Sequence, residues 1–409
     1  MEKEENALEV AALAGHILLE NGAEISRVEE TMERIATHYG VESKNFFILS
    51  NGIFTSGSAG YAKVDFIPFK GAQLERVVAV NQLSREIAQD KYTLAEAQEK
   101  LHSIRKMKTK PKWEQILGSA LGSAGFCVIF GGGLLDAAAS CLAGLLLWIF
   151  VAYVSAPYLT KTIGNLLGGF LTTLMCMAFC RIGFGNSLGN VIVGALIPLI
   201  PGIAFTNGIR DIADEDYIAG FTRLLDAMMI FFCIAAGVVL AFGIDYLIEG
   251  QILVLNGNEP NDITALIPFQ ALAAALGTIG FTILFGVPRK NYLQTTVVGT
   301  VGWVAYLLLV RYTVFGIIGS TFAATVIIAA TARLFAYFFK TPETVFLITG
   351  LFPLVPGGGI FWTTFFLVSK RFAMASHSGM TALGVTAAIV IGIVLVNSLP
   401  KRLFHPGKC

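Results

Sequence analysis

The sequence has little charge, and this shortage excludes an ordinary soluble protein. Charged residues are 14% of the 409 residues and hydrophobic residues are 55%, whereas soluble domains carry roughly 25% charge. Beyond Asp262 the only acidic residue is Glu343. The net charge of +1 gives no reason to expect nucleic acid as a partner. We therefore expect a protein that is embedded in a membrane.

Cysteine and histidine are also scarce, with six and five copies. Cys176 and Cys180 have the i, i+4 spacing of one helix face, but no histidine or carboxylate accompanies them, so packing explains them better than metal binding. The apolar part has no phosphate-binding loop, histidine-rich metal site or Ser/His/Asp grouping. We predict no metal, no cofactor and no catalytic residue. The acidic start MEKEENALEV is unlike a cleavable signal peptide.

The sequence does contain a long internal repeat. GSAGFCVIFG at 122–131 matches GTIGFTILFG at 277–286, 155 residues later. The same offset carries Trp148 onto Trp303, and Pro-Leu-Ile-Pro-Gly at 198–202 onto Pro-Leu-Val-Pro-Gly at 353–357. Repeats that have helix-breaking residues at matching places are typical of secondary transporters.

Apolar runs that are long enough to cross a bilayer predict about ten transmembrane helices. They lie at 114–132, 134–155, 163–182, 186–207, 219–248, 264–286, 291–311, 313–337, 342–368 and 374–399. We assign five to a first repeat, residues 113–250, and five to a second, residues 263–400. Five is odd, so the second repeat enters the membrane from the opposite side. Such an inverted repeat is the structural basis of alternating access.

Residues 1–112 are more polar and predict a small α/β domain on the cytosolic side. The predicted order is two helices, a hairpin at Asn51-Gly52, a third strand at 61–69 and two more helices. Thr93 and Glu96 have the spacing of a capping box at the start of the last helix. The basic cluster at 105–112 precedes the first apolar run and holds that end in the cytoplasm.

Lysine and arginine in the predicted loops place both termini, including the tail 401–409, in the cytoplasm. The Lys370-Arg371 pair is the one exception to this bias. We predict a multi-pass protein of the plasma membrane of a prokaryote.

The two proline-glycine motifs should split the fourth and ninth spans into half-helices. Broken backbone survives in a bilayer only where it lines a cavity or is buried in protein. Free N–H groups at a half-helix N-terminus attract carboxylates. We predict a substrate site between the two breaks; the alternative is that they are packing kinks. The predicted site residues are Pro201, Gly202, Thr206, Asn207, Pro356, Gly357, Gly358, Trp362 and Thr363.

Charged residues near the membrane are the candidates for coupling transport to an ion. Arg223 and Asp226 have the spacing of an i, i+3 ion pair. Arg181 and Arg333 either bind a substrate carboxylate or extend to the interface. In the N-terminal region we expect Glu24, Arg27 and Glu29 to form a salt-bridged interface. The coupling candidates are Asp226, Arg223, Arg181 and Glu24.

Four segments resemble the threonine/serine exporter family. Residues 14–40, AGHILLENGAEISRVEETMERIATHYG, resemble its N-terminal signature, and FGGGLLDAAA, LIPGIAFTNGIRDIADEDYIAG and GLFPLVPGGGIF resemble its membrane motifs. The resemblance covers essentially the whole chain and both repeats, in the fused form. It implies a ten-helix protein that exports small hydrophilic metabolites and is coupled to the proton gradient.

The resemblance leaves the substrate open among threonine, serine and small dicarboxylates. The expected partners are this small molecule, a proton, the lipid bilayer and a second copy of the chain in a homo-oligomer. Two alternatives come from other classes. One is a membrane-embedded enzyme or sensor whose N-terminal domain does the chemistry, and the other is a channel.

Overall fold

A computed structural model describes residues 2–41, 45–57, 61–69, 71–249, 264–368 and 370–400. The chain is mostly helical, as predicted, with a three-stranded sheet near its N-terminus. The loop at 250–262 and the tail at 401–409, which we predict on opposite sides of the membrane, lie outside the described residues.

The N-terminal elements follow the predicted order. They are α1 (Glu2–Glu20), α2 (Ile25–His38), β1 (Phe46–Leu49), β2 (Gly52–Ser56), β3 (Ala62–Phe66), α3 (Leu74–Ile87) and α4 (Leu94–Arg105). We refer to residues 2–105 as the N-terminal module. The predicted capping box of Thr93 and Glu96 is present at the start of α4. Ile48 and Ile53 on the inner face of the sheet are buried.

The hairpin turn lies one position earlier than predicted. Leu49 pairs with Gly52 across the antiparallel ladder, so the two turn residues are Ser50 and Asn51. Gly52 belongs to β2 because it also pairs with Phe66 of β3. The third strand therefore fixes a register that the Asn-Gly dipeptide alone does not specify.

The remaining elements form a helical bundle. Its first half holds α5 (Lys112–Ile129), α6 (Leu134–Phe150), α7 (Ala156–Tyr158), α8 (Lys161–Arg181), α9 (Leu188–Leu196), α10 (Gly202–Ala213) and α11 (Tyr217–Glu249). A π-helical turn at Val151–Ser155 joins α6 to α7. The second half holds α12 (Ile267–Leu284), α13 (Tyr292–Tyr312), α14 (Gly316–Phe339), α15 (Glu343–Leu351), α16 (Gly357–Val368) and α17 (Phe372–Ser398).

Several of these helices suit a membrane. Within the described residues, seven are long and apolar enough to cross one, or nine if each of the bent pairs α9–α10 and α15–α16 is a single span. The first predicted span, 114–132, is not among these nine; it falls on α5, whose first turn carries the polar residues Lys112, Glu114 and Gln115. The exact count of ten therefore stays a prediction.

The helices repeat with the 155-residue period of the sequence. Ile267 begins α12 155 residues after Lys112 begins α5. The broken spans show the same offset, since α9 begins at Leu188 and α15 at Glu343. The duplication seen in the sequence is thus also a duplication of helix boundaries.

The corresponding helices α5 and α12 pack directly against each other. A Cβ atom on Gly125 would lie 2.5 Å from the backbone nitrogen of Gly277, and one on Gly280 would lie 2.5 Å from that of Gly122. These contacts are reciprocal, because Gly277 is the repeat equivalent of Gly122 and Gly280 that of Gly125. Such close backbone approach is typical of small-residue helix contacts in membranes.

A hydrogen-bonded pair of side chains also occurs once in each half. Trp148 Nε1 donates to Gln115 Oε1 at 3.3 Å, and Trp303 Nε1 donates to Gln270 Oε1 at 3.0 Å. Each residue of the second pair follows its equivalent by 155 positions. The two halves thus share side-chain contacts as well as helix boundaries.

The N-terminal module packs against one end of the bundle. The N–H groups of Leu74 and Glu75 donate to the carbonyls of Phe285 and Gly286, just after α12, at 3.0 and 2.8 Å. Near the start of α11, Arg223 donates to the Ala23 carbonyl at 3.0 Å. The connections that follow α10 and α12 therefore lie at the end of the bundle that holds the module.

Candidate functional site

Both predicted helix breaks are present. A 3₁₀ turn at Ile197–Leu199 separates α9 from α10, which are bent by 68°, and one at Phe352–Leu354 separates α15 from α16, which are bent by 48°. Proline causes each break because it cannot donate the helical hydrogen bond and clashes with the preceding turn. The N–H of Gly202 instead donates to the Ile200 carbonyl at 2.8 Å, and that of Gly357 to the Val355 carbonyl at 2.7 Å.

The structure brings the two breaks into contact. A Cβ atom on Gly202 would overlap the ring of Phe352 in the second break. A Cβ atom on Gly357 would lie 2.9 Å from Ile200 Cδ1 in the first break. Glycine at these two positions therefore lets the two turns pack face to face.

Two cavities lie beside the first break and share Phe69, Ile203 and Ala204 in their walls. The larger, of about 400 Å³, is bounded by the break at 198–204, by Lys161 and by the segment of the N-terminal module that contains Phe69. We call it the break cavity. The smaller, of about 240 Å³, reaches the hairpin turn at Ser50. We call it the interface cavity, because the module and the bundle both line it.

The break cavity offers positive potential. Ile203 and Ala204 are in the first turn of α10, where N–H groups lack intrahelical acceptors and carry the positive end of the helix dipole. Lys161 adds a full charge, and its Nζ lies 2.6 Å from the carboxylate of Asp226, which lines the interface cavity. A helix N-terminus, an ammonium group and a carboxylate thus lie around two adjoining cavities. This arrangement suits a ligand that has both an acidic and a basic group.

Two predicted polar residues of the first broken span, α9–α10, are buried beside these cavities. Asn207 lines the interface cavity, and its Nδ2 donates to the Gly22 carbonyl at 2.8 Å. In the described part of the chain, neither its Oδ1 nor the Thr206 hydroxyl has a hydrogen-bond partner. An unpaired buried acceptor is costly unless a ligand or water satisfies it.

Three predicted residues of the second broken span, α15–α16, contact other parts of the protein instead of the cavities. The Thr363 hydroxyl donates to the Gly359 carbonyl of its own helix at 2.7 Å. Trp362 stacks on Phe366, with ring centroids 5.5 Å apart, and Gly358 lies against Phe130. Neither Trp362 nor Thr363 is among the residues that line the two cavities.

A buried carboxylate joins the N-terminal module to both broken spans. Glu24 has no exposed surface and lies 3.3 Å from Arg27, 3.6 Å from Arg210 of α10 and 2.7 Å from the Thr344 hydroxyl of α15. Burial raises the pKa of Glu24, but the guanidinium groups of Arg210 and Arg27 and the Thr344 hydroxyl outweigh it and lower the pKa from 4.5 to about 2. Glu24 therefore stays ionised near neutral pH.

The salt bridges differ from those we predict at several positions. Arg223 does not pair with Asp226; it binds Asp211 at 2.7 Å, because the fold brings α10 against α11. Arg27 pairs with Glu24 as predicted, but its second partner is Glu30 at 3.0 Å. Glu29 is exposed at this interface. Partial burial of its carboxyl group and the neighbouring carboxylates of Glu33 and Asp216 raise its pKa.

Arg181 and Arg333 both have carboxylate partners within the protein. Arg181 lies 2.6 Å from Asp245, near the ends of α8 and α11. Arg333 lies 3.4 Å from Glu343 and donates to the Val396 carbonyl. Among the described residues, no group of three or more histidine, cysteine or acidic side chains has the arrangement of a metal site.

Sequence reasoning missed several of these residues. Phe69 and Lys161 line one cavity, and Thr344 contacts Glu24, only because the module packs against the bundle, and no local pattern marks these residues. Gln115 lines the break cavity with Trp148, and it could have been found because Gln270 occupies the equivalent position in the second repeat. Arg210 and Asp211 lie within the motif at 199–220.

Comparison with known proteins identifies two family models that match this chain. One, described as a threonine/serine exporter, matches residues 9–244, and the other, described as "Threonine/Serine exporter, ThrE", matches residues 270–399. A threonine/serine exporter of Corynebacterium glutamicum is 20% identical over 415 residues, covering 98% of this chain and 84% of the relative. An uncharacterized protein of Schizosaccharomyces pombe is 20% identical over 293 residues, covering 70% of this chain and 35% of that protein. No solved structure matches the chain.

Proposed function

The chain belongs to the threonine/serine exporter family, and from this premise we propose that it exports small amino acids of the threonine and serine type by alternating access coupled to protons. Membership in the family and the apolar helices make it a membrane protein and point to a transporter rather than an enzyme. We place it in the cell membrane with both termini in the cytoplasm. The observation that carries the substrate class is the pair of adjoining cavities at the start of α10.

The chemistry of these cavities supports a zwitterionic substrate. The substrate carboxylate would accept from the N–H groups of Ile203 and Ala204 and lie near Lys161, where helix dipole and charge both favour an anion. The substrate ammonium group would approach Asp226 across the shared wall. A second carboxylate, as in a C4-dicarboxylate, would instead meet the Asp226 charge. The cavities therefore favour an amino acid over a dicarboxylate.

The same residues suggest how a proton would be coupled. Glu24 is a weak candidate for a proton carrier, because its pKa of about 2 keeps it ionised across the physiological range. Asp226 lines a cavity and neutralises Lys161 at 2.6 Å. A proton and the substrate ammonium group would compete for the Asp226 carboxylate, so that one leaves as the other binds, as antiport requires. We therefore favour Asp226 over Glu24, Arg181 and Arg223 as the coupling residue.

Helix packing supports the inverted repeat and the ten-span topology. Along α5, Gly118 approaches Gly280 and Gly125 approaches Gly277, so α5 and α12 run antiparallel. Antiparallel equivalents that touch reciprocally fit a two-fold axis in the membrane plane. α5 would then cross the membrane beside α12, as a tenth span that adjacent helices shield from lipid.

Counterflow in proteoliposomes tests this function. Vesicles preloaded with threonine should take up labelled threonine or serine and saturate, whereas a channel would show no counterflow. Lys161→Gln should lower the affinity for threonine about tenfold or more, because a charge-assisted hydrogen bond contributes roughly 1.5–3 kcal/mol. Lys290→Gln, at an exposed lysine of another connection, is the matched control.

Three results would point to the alternatives. Exchange of succinate but not threonine would indicate a dicarboxylate exporter. Threonine exchange that is unchanged by Lys161→Gln and by an imposed pH gradient would contradict the proposed site and the proposed coupling. Failure of the membrane half alone to exchange threonine, together with substrate turnover by residues 1–112, would favour an enzyme or sensor.

A further inference from the structure

The outer face of the three-stranded sheet is apolar and exposed. Phe47, Phe54 and Val64 form one row across the three strands, and Phe66 lies on the same face next to the hairpin turn. Phe47, Val64 and Phe66 are 59%, 65% and 72% exposed. An antiparallel sheet with one buried face normally carries polar residues on the other. An apolar outer face instead marks a contact with a partner or a membrane.

This face is not needed for the core of the N-terminal module. Ile48, Ile53 and Thr55 point to the opposite side and are buried. They supply the alternation that a half-buried strand requires. The phenylalanines of the outer face are therefore additional to what folding of the module demands.

The position of the sheet identifies what covers this face. Its hairpin turn, Ser50 and Asn51, lines the interface cavity together with Thr222 and Asp226 from the first turns of α11. Asp226 pairs with Lys161, and both side chains are about half exposed, at 49% and 54%. Exposed ionised groups belong at the water boundary of a membrane rather than in its hydrocarbon. The hairpin turn thus lies at the depth of that boundary.

Exposed apolar residues also occur on the helix that shares the interface cavity with the hairpin turn. Tyr217, Ile218 and Phe221 are exposed on the first turns of α11, a helix that is long and apolar enough to cross a membrane. Aromatic and aliphatic side chains at this level pack into the boundary between headgroups and acyl chains. A hairpin turn that shares a cavity with the exposed apolar start of a helix of spanning length favours the bilayer over a protein partner.

We propose that the outer face of the sheet lies on the cytoplasmic leaflet and is a second, peripheral membrane contact of the protein. Phe47, Phe54, Val64 and Phe66 would enter the headgroup region, roughly 5–10 Å deep. Because the hairpin turn and Asp226 line the same cavity, lipid contact of the sheet would also fix one wall of the interface cavity.

Photo-crosslinking tests the proposal on the full-length protein. p-Benzoylphenylalanine, which resembles phenylalanine, is placed at Phe54 or at Val64, and the protein is reconstituted in vesicles of phosphatidylethanolamine and phosphatidylglycerol. We expect irradiation to add the mass of one phospholipid at both positions. The control position is Gln89, which is exposed just beyond the end of α3. It lies 15 residues after Leu74, which hydrogen-bonds to the bundle, and a helix of that length rises roughly 20 Å.

Each outcome decides the proposal. Lipid adducts at Phe54 and Val64 that exceed those at Gln89 several-fold would support it. A crosslinked dimer without lipid adducts would overturn it and make the sheet an interface between copies of the chain. Lipid adducts no more abundant than at Gln89 would also overturn it and leave the face in water. Size-exclusion profiles equal to that of the parent protein establish that the labelled variants are folded.

Discussion

Replacing Glu24 by glutamine should loosen the attachment of the N-terminal module to both broken spans. Glutamine keeps the size of the side chain, and its oxygen can still accept from the Thr344 hydroxyl, which donates to Glu24 at 2.7 Å in the parent protein. What the change removes is the attraction to Arg27 at 3.3 Å and to Arg210 at 3.6 Å. Arg210 is 7% exposed, so it would keep a buried positive charge with a weaker set of partners.

Two features of the structure give the same magnitude for this loss. Removing one partner of a buried ion pair costs about 3–5 kcal/mol, since the other charge remains buried. The fall in the pKa of Glu24 from 4.5 to about 2 corresponds to roughly 3 kcal/mol at about 1.36 kcal/mol per unit. We therefore expect Glu24→Gln to lower the free energy of unfolding by about 3 kcal/mol.

The pH dependence has a defined sign. A carboxylate whose pKa is lowered by folding contributes its full stability above its unfolded pKa, here 4.5, and loses that contribution as the pH falls toward 2. The parent protein should therefore lose stability in this window. Glu24→Gln should lack this part of the loss, because it has no proton to gain.

Thermal unfolding of the purified protein in detergent measures these effects. The matched control is Glu30→Gln, because Glu30 also pairs with Arg27 but is 52% exposed, and exposed pairs contribute about 0–1 kcal/mol. We expect a fall of several degrees for Glu24→Gln and little change for Glu30→Gln. Equal shifts for the two variants would refute the reasoning. An unchanged melting temperature with abolished counterflow would instead assign Glu24 a direct role in coupling.

Three further predictions concern the helix packing, the substrate site and the membrane topology. Gly125→Leu should prevent assembly of α5 on α12, because even a Cβ atom there approaches backbone to 2.5 Å. Gly243→Leu should be tolerated, since nothing lies within 4 Å of a Cβ atom at that position. The yield of monodisperse protein distinguishes the two variants. Asn207→Ala should weaken threonine binding about tenfold in a scintillation-proximity assay, while Thr363→Val, whose hydroxyl is committed to Gly359, should bind nearly normally. Cysteine labelling in intact cells should reach residues 250–262 from outside and the tail 401–409 only from inside; labelling of both from one side would contradict the ten-span count.

Much of the architecture could be predicted because it depends on local or periodic features of the sequence. The helix breaks follow from proline in a helix interior, which lacks the N–H and clashes with the preceding turn. The duplicated helix boundaries follow from the 155-residue offset, which is visible in Trp148 and Trp303. The capping box at Thr93 needs only residues within one turn.

The charged contacts could not be predicted, because they depend on tertiary packing. The spacing of Arg223 and Asp226 allows an ion pair, yet Arg223 binds Asp211 and Asp226 binds Lys161, 65 positions away. A helix-surface pair contributes only about 0.2–0.5 kcal/mol, so a partner brought close by another helix easily displaces it. The same limit applies to Thr344, which is 320 positions from Glu24.

The paired Gln–Trp contacts specify how the opposite conformation of the proposed transport cycle would look. At present Gln115 and Trp148 line the break cavity, whereas Gln270 and Trp303 are sealed, at 4% and 8% exposure. Asn165 likewise lines the cavity, while its equivalent Ser320 is buried with no hydrogen-bond partner in the described part of the chain. Exchanging the conformations of the two halves would open a cavity at Gln270, Trp303 and Ser320 on the far side. In the proposed cycle, each half of this protein would thus serve as a template for the state that the other half adopts next.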